Sequence, residues 1–151
     1  MGLLDSDSEE PKSKLRRWVI SGLALGLLLG TGAWYLFRFY PEKRAIGRFF
    51  DALVAGDTQK AYHLWKQQNT TSYSYQDFRD DWGPTGYYGP VKSYRIEDTQ
   101  NPPHGGSGVI VVVDISPYQP FPGNDDPVKG RRTRVVHLWV ERGDKSLSFP
   151  P

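Results

Sequence analysis

The chain has no cysteine among its 151 residues. It therefore has no disulfide bond, no thiolate ligand for a metal ion and no cysteine nucleophile. The three histidines, His63, His104 and His137, fall in a predicted helix, a loop and a strand, without the spacing of a metal site. The sequence thus predicts neither a metal nor another cofactor.

The chain also lacks a clear excess of charge of either sign. From Pro41 onward, 14 lysines and arginines stand against 13 aspartates and glutamates. A nucleic-acid-binding surface needs a clustered positive field, so this balance argues against a nucleic-acid partner. No catalytic motif is recognisable, and whether the chain is an enzyme stays open, with a non-enzymatic role favoured.

Charge is absent altogether from Trp18 to Phe37, a run of 20 residues. At about 1.5 Å per helical residue such a run is roughly 30 Å long, the thickness of the hydrocarbon core of a bilayer. With aromatic residues at both ends, it predicts a transmembrane helix over residues 18–39, preceded by a disordered tail over 1–17. A cleaved signal peptide, with Thr31-Gly32-Ala33 as its cleavage site, is the alternative.

The basic residues that flank the run bear on its orientation. Four precede it within reach of the membrane surface and four follow it, but the first four lie closer to the apolar segment. This favours a cytoplasmic N-terminus and an extracytoplasmic C-terminal domain in the cell membrane. The eight residues are Lys12, Lys14, Arg16, Arg17, Arg38, Lys43, Arg44 and Arg48.

Within the predicted helix, Gly22, Gly26 and Gly30 recur every four residues. On a helix they form one stripe, which allows a second backbone to approach closely. The stripe predicts a homodimer through the transmembrane helix, although glycine is also common in membrane helices that do not dimerise.

The remaining residues, 41–151, are enough for one small domain. Pro41 suits the first turn of a helix, and an apolar stripe follows it at helical spacing. Gly56 and Asp57 predict the end of this helix and the N-cap of a second. After a polar loop over 67–73, Ser74 and Asp77 predict a capping box that opens a third helix. The stripe comprises Ile46, Phe49, Phe50, Leu53 and Val54.

The second half of the domain has the pattern of β-strands. Strands are predicted over 91–98, 109–116, 131–142 and 146–149, the second of them central because it is β-branched throughout. A proline-rich loop over 117–130 separates the second from the third. Helices followed by antiparallel strands predict an α+β domain.

The stretch from Phe49 to Trp65, FFDALVAGDTQKAYHLW, resembles the opening of the NTF2-like (cystatin-cone) superfamily. The later strands, with Trp139 on the third and a final hairpin, are similar to that superfamily as well. The resemblance implies a curved antiparallel sheet wrapped by about three helices around a cone-shaped cavity. It implies no single function, because many unrelated functions share this fold.

Six residues are candidates for a cavity or interface: Tyr87, Tyr88, Tyr94, Asp114, His137 and Trp139. Asp114 interrupts an apolar strand, and one NTF2-like branch uses a carboxylate base to isomerise ketosteroids. Alternatively, Asp114 faces solvent or pairs with Arg132 or Arg134, and Trp139 belongs to the core. A basic run formed by these two arginines and Arg131 is either a solvated strand end or a contact for anionic headgroups.

Two hypotheses follow. The first is a single-pass membrane protein, in a bacterial envelope, whose NTF2-like domain binds or assembles with an unidentified membrane-associated protein and has no catalytic activity. A component of bacterial type IV secretion systems is similar in layout. The second is a cone that binds or isomerises a small apolar ligand.

Overall fold

A computed structural model describes residues 10–65 and 73–150, and the side chains of the first helix from Lys14 onward. The chain divides into two compact units, one ending at Arg38 and one beginning at Phe39. The residues of the predicted tail before Glu10 and nearly all of the predicted loop over 67–73 lie outside the described residues.

The first unit consists of one helix, α1 (Glu10–Phe37). Every described side chain of α1, from Lys14 to Phe37, is exposed. The helix is long and apolar enough to cross a membrane. The predicted boundaries were partly wrong: residues 10–17 were assigned to a disordered tail but are helical, and the helix stops at Phe37, with a turn at 38–39.

The second unit opens with three helices: α2 (Tyr40–Val54), α3 (Thr58–Leu64) and α4 (Tyr75–Trp82). The predicted end of α2 and the predicted N-caps of α3 and α4 are confirmed. Gly56 has a φ of 78°, which favours glycine, and the Asp57 carboxylate accepts a hydrogen bond of 2.9 Å from the Lys60 amide. Ser74 and Asp77 form the predicted capping box of α4.

A four-stranded antiparallel sheet follows, with its strands in chain order. They are β1 (Ser93–Gln100), β2 (Gly108–Ser116), β3 (Arg134–Glu141) and β4 (Leu147–Ser148). The predicted central position of β2 is confirmed, because β2 pairs with both β1 and β3. The edge strand β1 has a bulge between Ile96 and Asp98. The segment predicted as one long loop between β2 and β3 contains a short helix, α5 (Pro127–Gly130). The α+β class is therefore confirmed.

Successive side chains along each strand point to opposite faces of the sheet. Those on one face of β2 and β3 are buried in the core, together with the apolar face of α2 and the rings of Trp65, Phe78 and Trp82. Each large apolar side chain buried in this way contributes about 1.5–3 kcal/mol. The sheet residues of this covered face are Val109, Val111, Val113, Ile115, Val136, Leu138 and Val140.

One ion pair connects the start of α2 to the turn between β3 and β4. The Nζ of Lys145 lies 2.9 Å from Oε1 of Glu42, which is only 5% exposed. Lys145 also donates to the carbonyl of Arg142 and has a φ of 60°, a conformation that residues other than glycine rarely adopt. Oε2 of Glu42 is buried without a hydrogen-bond partner among the described residues. Glu42 therefore depends on Lys145 for compensation of its charge.

We expect Lys145→Met to destabilise the second unit by about 2–4 kcal/mol, because it leaves the Glu42 carboxylate buried without a counterion. The measurement is urea-induced unfolding of the full chain in a neutral detergent. Lys60→Met, at an exposed position, is the control and should change stability by less than about 0.5 kcal/mol. Adding Glu42→Gln to Lys145→Met should recover part of the loss; equal effects of Lys145→Met and Lys60→Met would contradict this role.

Candidate functional site

The loop between α4 and β1 carries two of the candidate residues. Gly83 caps α4, and the chain then turns so tightly that a Cβ on Gly89 would lie 1.8 Å from the carbonyl oxygen of Gly83. The amides of Tyr87 and Tyr88 donate to the last-turn carbonyls of Asp80 and Asp81, at 2.8 and 2.7 Å. Residues 83–90, the tyrosine loop, are thus fixed to α4 by their own backbone.

The two tyrosines of this loop have opposite environments. The ring of Tyr88 stacks on Trp82, with 4.6 Å between centroids, and packs on Phe149 at 5.8 Å. Tyr87 meets Tyr88 edge to face but is 66% exposed. Tyr88 therefore anchors the loop to the core, while Tyr87 presents its ring to solvent. An aromatic ring fixed in this way is a suitable contact for another molecule.

Arg134, the first residue of β3, fixes Tyr87 from the side. Its guanidinium donates a hydrogen bond to the carbonyl of Tyr87 and lies 5.0 Å from the centre of the Tyr87 ring. These residues are 47 positions apart in sequence. The sheet thus brings the basic run and the tyrosine loop together.

Tyr94, on β1, belongs to the covered face of the sheet. Its ring stacks on Phe50 at 5.1 Å, and its hydroxyl donates to Oδ1 of Asp51 at 2.8 Å. Burial, followed by the hydrogen bond to Asp51 and the negative charge of Asp51, raises the pKa of Tyr94 well above its ordinary value. The hydroxyl connects β1 to α2.

Asp114 lies on the face of β2 opposite to α2–α4, in a cleft of about 210 Å³ that the segment between β2 and β3, including α5, helps to line. Its carboxylate is 3.7 Å from the guanidinium of Arg95, which also pairs with Glu97 and lies 4.6 Å from the ring of Phe121. Burial, and then repulsion by Glu97, raises the pKa of Asp114, while Arg95 opposes the shift. The partner of Asp114 is thus Arg95 on the neighbouring strand, and neither Arg132 nor Arg134.

His137 and Trp139 also lie on this outer face, on β3. His137 is exposed. Trp139 is 8% exposed because its ring lies over the backbone between β1 and β2: a Cβ on Gly108 would be 2.3 Å from the ring. Its Nε1 donates to Oε2 of Glu141 at 3.3 Å. Trp139 is therefore buried, as predicted for a core residue, but on the outer face of the sheet and not in the cluster that packs against α2–α4.

The six candidates therefore do not form one site. Tyr94 faces the helices, whereas Asp114, His137 and Trp139 lie on the outer face and Tyr87 and Tyr88 on the tyrosine loop. Within residues 10–65 and 73–150, no three His, Asp or Glu side chains are close enough together to bind a metal ion. Comparison with protein-family models, with curated proteins and with solved structures found no match to this chain.

We expect Tyr94→Phe to cost about 1 kcal/mol near pH 8 through loss of the hydrogen bond to Asp51. The pKa of Tyr94 is raised in the folded state, so the stabilisation by its protonated hydroxyl is complete below the unfolded-state pKa of about 10 and is lost as the pH rises above it. The stability gap between wild type and Tyr94→Phe should therefore shrink above pH 10.

Denaturant unfolding at a series of pH values measures this gap. Tyr87→Phe, at an exposed ring, is the control and should follow the wild type at neutral pH. A gap between wild type and Tyr94→Phe that stays constant through pH 10–12 would contradict the assigned environment.

Proposed function

We propose that the chain is a single-pass membrane protein whose α+β unit, of NTF2-like type, is a binding or assembly module at the membrane surface without catalytic activity. The observation that supports this most directly is α1. Its described side chains are all exposed, although 18 of its residues in succession have a mean hydropathy of 1.7. Apolar surface of this extent is unstable in water, and a bilayer would cover it.

The connection between the two units fits this proposal. Only Arg38 and Phe39 separate the end of α1 from the start of α2. With about 3.5 Å per extended residue, such a connection keeps the folded unit next to the bilayer that holds α1. A partner of this unit would then be membrane-associated as well.

The position of Asp114 favours the binding module over the alternative, a cone that binds or isomerises an apolar ligand. A base for isomerisation has to face the cavity where the substrate lies. Asp114 instead lies on the outer face, in a cleft of about 210 Å³ that is smaller than a typical small-molecule site, and the opposite, covered face of the sheet carries the side chains of the core. Tyr87, exposed and held by Arg134, is the contact residue that we assign to the binding module.

We expect the full chain, expressed in bacteria, to stay in the membrane fraction after an alkaline wash and to retain its complete mass of 17.2 kDa. Leu27→Lys combined with Leu29→Lys should release it, since a lysine at the centre of a spanning helix costs about 2.5–3.5 kcal/mol. A soluble wild-type protein, or a mature form that starts after Ala33, would refute the anchor.

The orientation of the protein in the membrane can be tested in the same bacterial cells. A membrane-impermeant amine reagent should modify exposed lysines of the second unit, such as Lys60 and Lys92, in intact cells if this unit is extracytoplasmic. Lys145 is a poorer reporter because its Nζ is bound to Glu42. Protection of Lys60 and Lys92 until the cells are lysed would place the unit in the cytoplasm.

We further propose that α1 pairs with a second copy of itself through its glycine stripe. Gly22, Gly26 and Gly30 lie along a groove on α1 that Leu23, Leu27, Thr31 and Trp34 complete. Apart from the adjacent backbone of α1 itself, a Cβ added to any of the three glycines would meet no described atom within 4 Å, so the groove is open to another helix.

Gly26→Ile should therefore weaken self-association of the full chain in detergent micelles by about tenfold or more, because the branched side chain keeps the two backbones apart. Sedimentation equilibrium or energy transfer between labelled copies measures this. Gly32→Ile, outside the groove, is the matched control. Equal self-association of the two variants would show that the stripe is incidental.

A further inference from the structure

A polar cleft in the second unit lies beside the tyrosine loop and is separate from the exposed ring of Tyr87. It has a volume of about 350 Å³ and opens between the end of the tyrosine loop, the end of β2 and the segment that leads into β3. Volumes of about 300–1,000 Å³ are typical of small-molecule sites. Its lining comprises Tyr88, Gly89, Pro90, Ile115, Ser116, Pro117, Arg131, Arg132 and Arg134.

The charges of this cleft are all of one sign. Arg131, Arg132 and Arg134 line it, and no aspartate or glutamate does. Among the described residues, no acidic side chain forms an ion pair with any of the three. Arg134 donates to the carbonyl of Tyr87, which uses only part of the five-donor capacity of a guanidinium. The lining of the cleft therefore has a net positive charge.

Two hydroxyl groups add neutral hydrogen-bonding capacity. Ser116 is 1% exposed, and its Oγ accepts a hydrogen bond of 3.2 Å from the Tyr118 amide, so its own proton stays available for donation. Burial, and then the charge of Asp81, raises the pKa of Tyr88, whose phenol is protonated at neutral pH even at its ordinary pKa of about 10. The carboxylate of Asp81 is already hydrogen-bonded, because it accepts a hydrogen bond of 2.5 Å from the Tyr73 hydroxyl.

We propose that this cleft binds the phosphate group of a small phosphate ester. Three guanidinium groups suit a doubly charged oxyanion, because each can donate two parallel hydrogen bonds to its oxygens. A phosphate group does not fill 350 Å³, which leaves room for the organic part of the ester. The same chemistry is offered by a soluble phosphorylated metabolite and by a phospholipid headgroup. The site belongs to the second unit alone and does not depend on α1 spanning a membrane.

Isothermal titration calorimetry of the full chain in a neutral detergent tests the proposal. The titrants are inorganic phosphate, glycerol 3-phosphate and a short-chain phosphatidic acid. We expect glycerol 3-phosphate or phosphatidic acid to bind more tightly than inorganic phosphate. Arg131→Gln and Arg132→Gln should each weaken that binding about tenfold, as expected for loss of a charge-assisted hydrogen bond.

Arg79→Gln is the matched control, because Arg79 is exposed on α4 outside the cleft and its loss changes the net charge equally. It should leave binding unchanged, and thermal unfolding should show that all three variants are folded. Cleft-dependent binding of glycerol 3-phosphate indicates a soluble ester, and such binding of phosphatidic acid alone indicates a headgroup. No binding of any titrant, or equal loss in Arg79→Gln and the two cleft variants, would overturn the proposal.

Discussion

The packing of Phe49 against its neighbouring rings is the constraint on which the second unit depends. Its centroid lies between 5.1 and 6.2 Å from those of four other aromatic side chains, and Phe49 itself is fully buried. Through these rings α2, the end of α3 and α4 meet in one place above the sheet. The four neighbours are Phe50, Trp65, Phe78 and Trp82. This cluster covers one side of the sheet, and Asp114 and His137 lie on the other.

The same cluster positions the surface features. Trp82 receives Tyr88 on one side, and Tyr88 in turn fixes the loop on which Tyr87 is exposed. The position of Tyr87 therefore depends on contacts that lead back to the core. A side chain that is already held in its binding position loses little entropy when it binds, which suits Tyr87 to the contact that we propose for it.

Local patterns in the sequence were sufficient to predict the helices of the second unit. The helical spacing from Ile46 to Leu53, the break at Gly56, and the capping residues Asp57 and Ser74 each act within a few positions, so their effect can be read without the fold. The β-branched run over 109–116 was likewise sufficient to predict that β2 is a central strand. The start of α1 was missed because a polar, charged segment before Trp18 has no apolar periodicity, although it is helical in the structure.

Long-range contacts could not be predicted in this way. Arg134 meets Tyr87, and Lys145 meets Glu42 at a separation of 103 residues, only because strands and helices bring them together. The face on which Asp114 lies depends on register, and a shift of one residue would have turned it toward the helices. Trp139 is buried, as a large aromatic side chain usually is, but the face on which it is buried was not predicted. Its ring packs on the outer face against Gly106 and Gly108, where a Cβ atom would clash with it.

The bulge in β1 has a consequence for how copies of the protein can meet. An outermost strand presents free amide and carbonyl groups that could recruit a strand from another molecule. In β1 the bulge between Ile96 and Asp98 breaks the regular spacing of those groups, and Arg95, Glu97 and Asp98 place charges on the same border. Such devices discourage strand addition and fibre growth. Crowding many copies on one surface would then be tolerated without amyloid-like stacking.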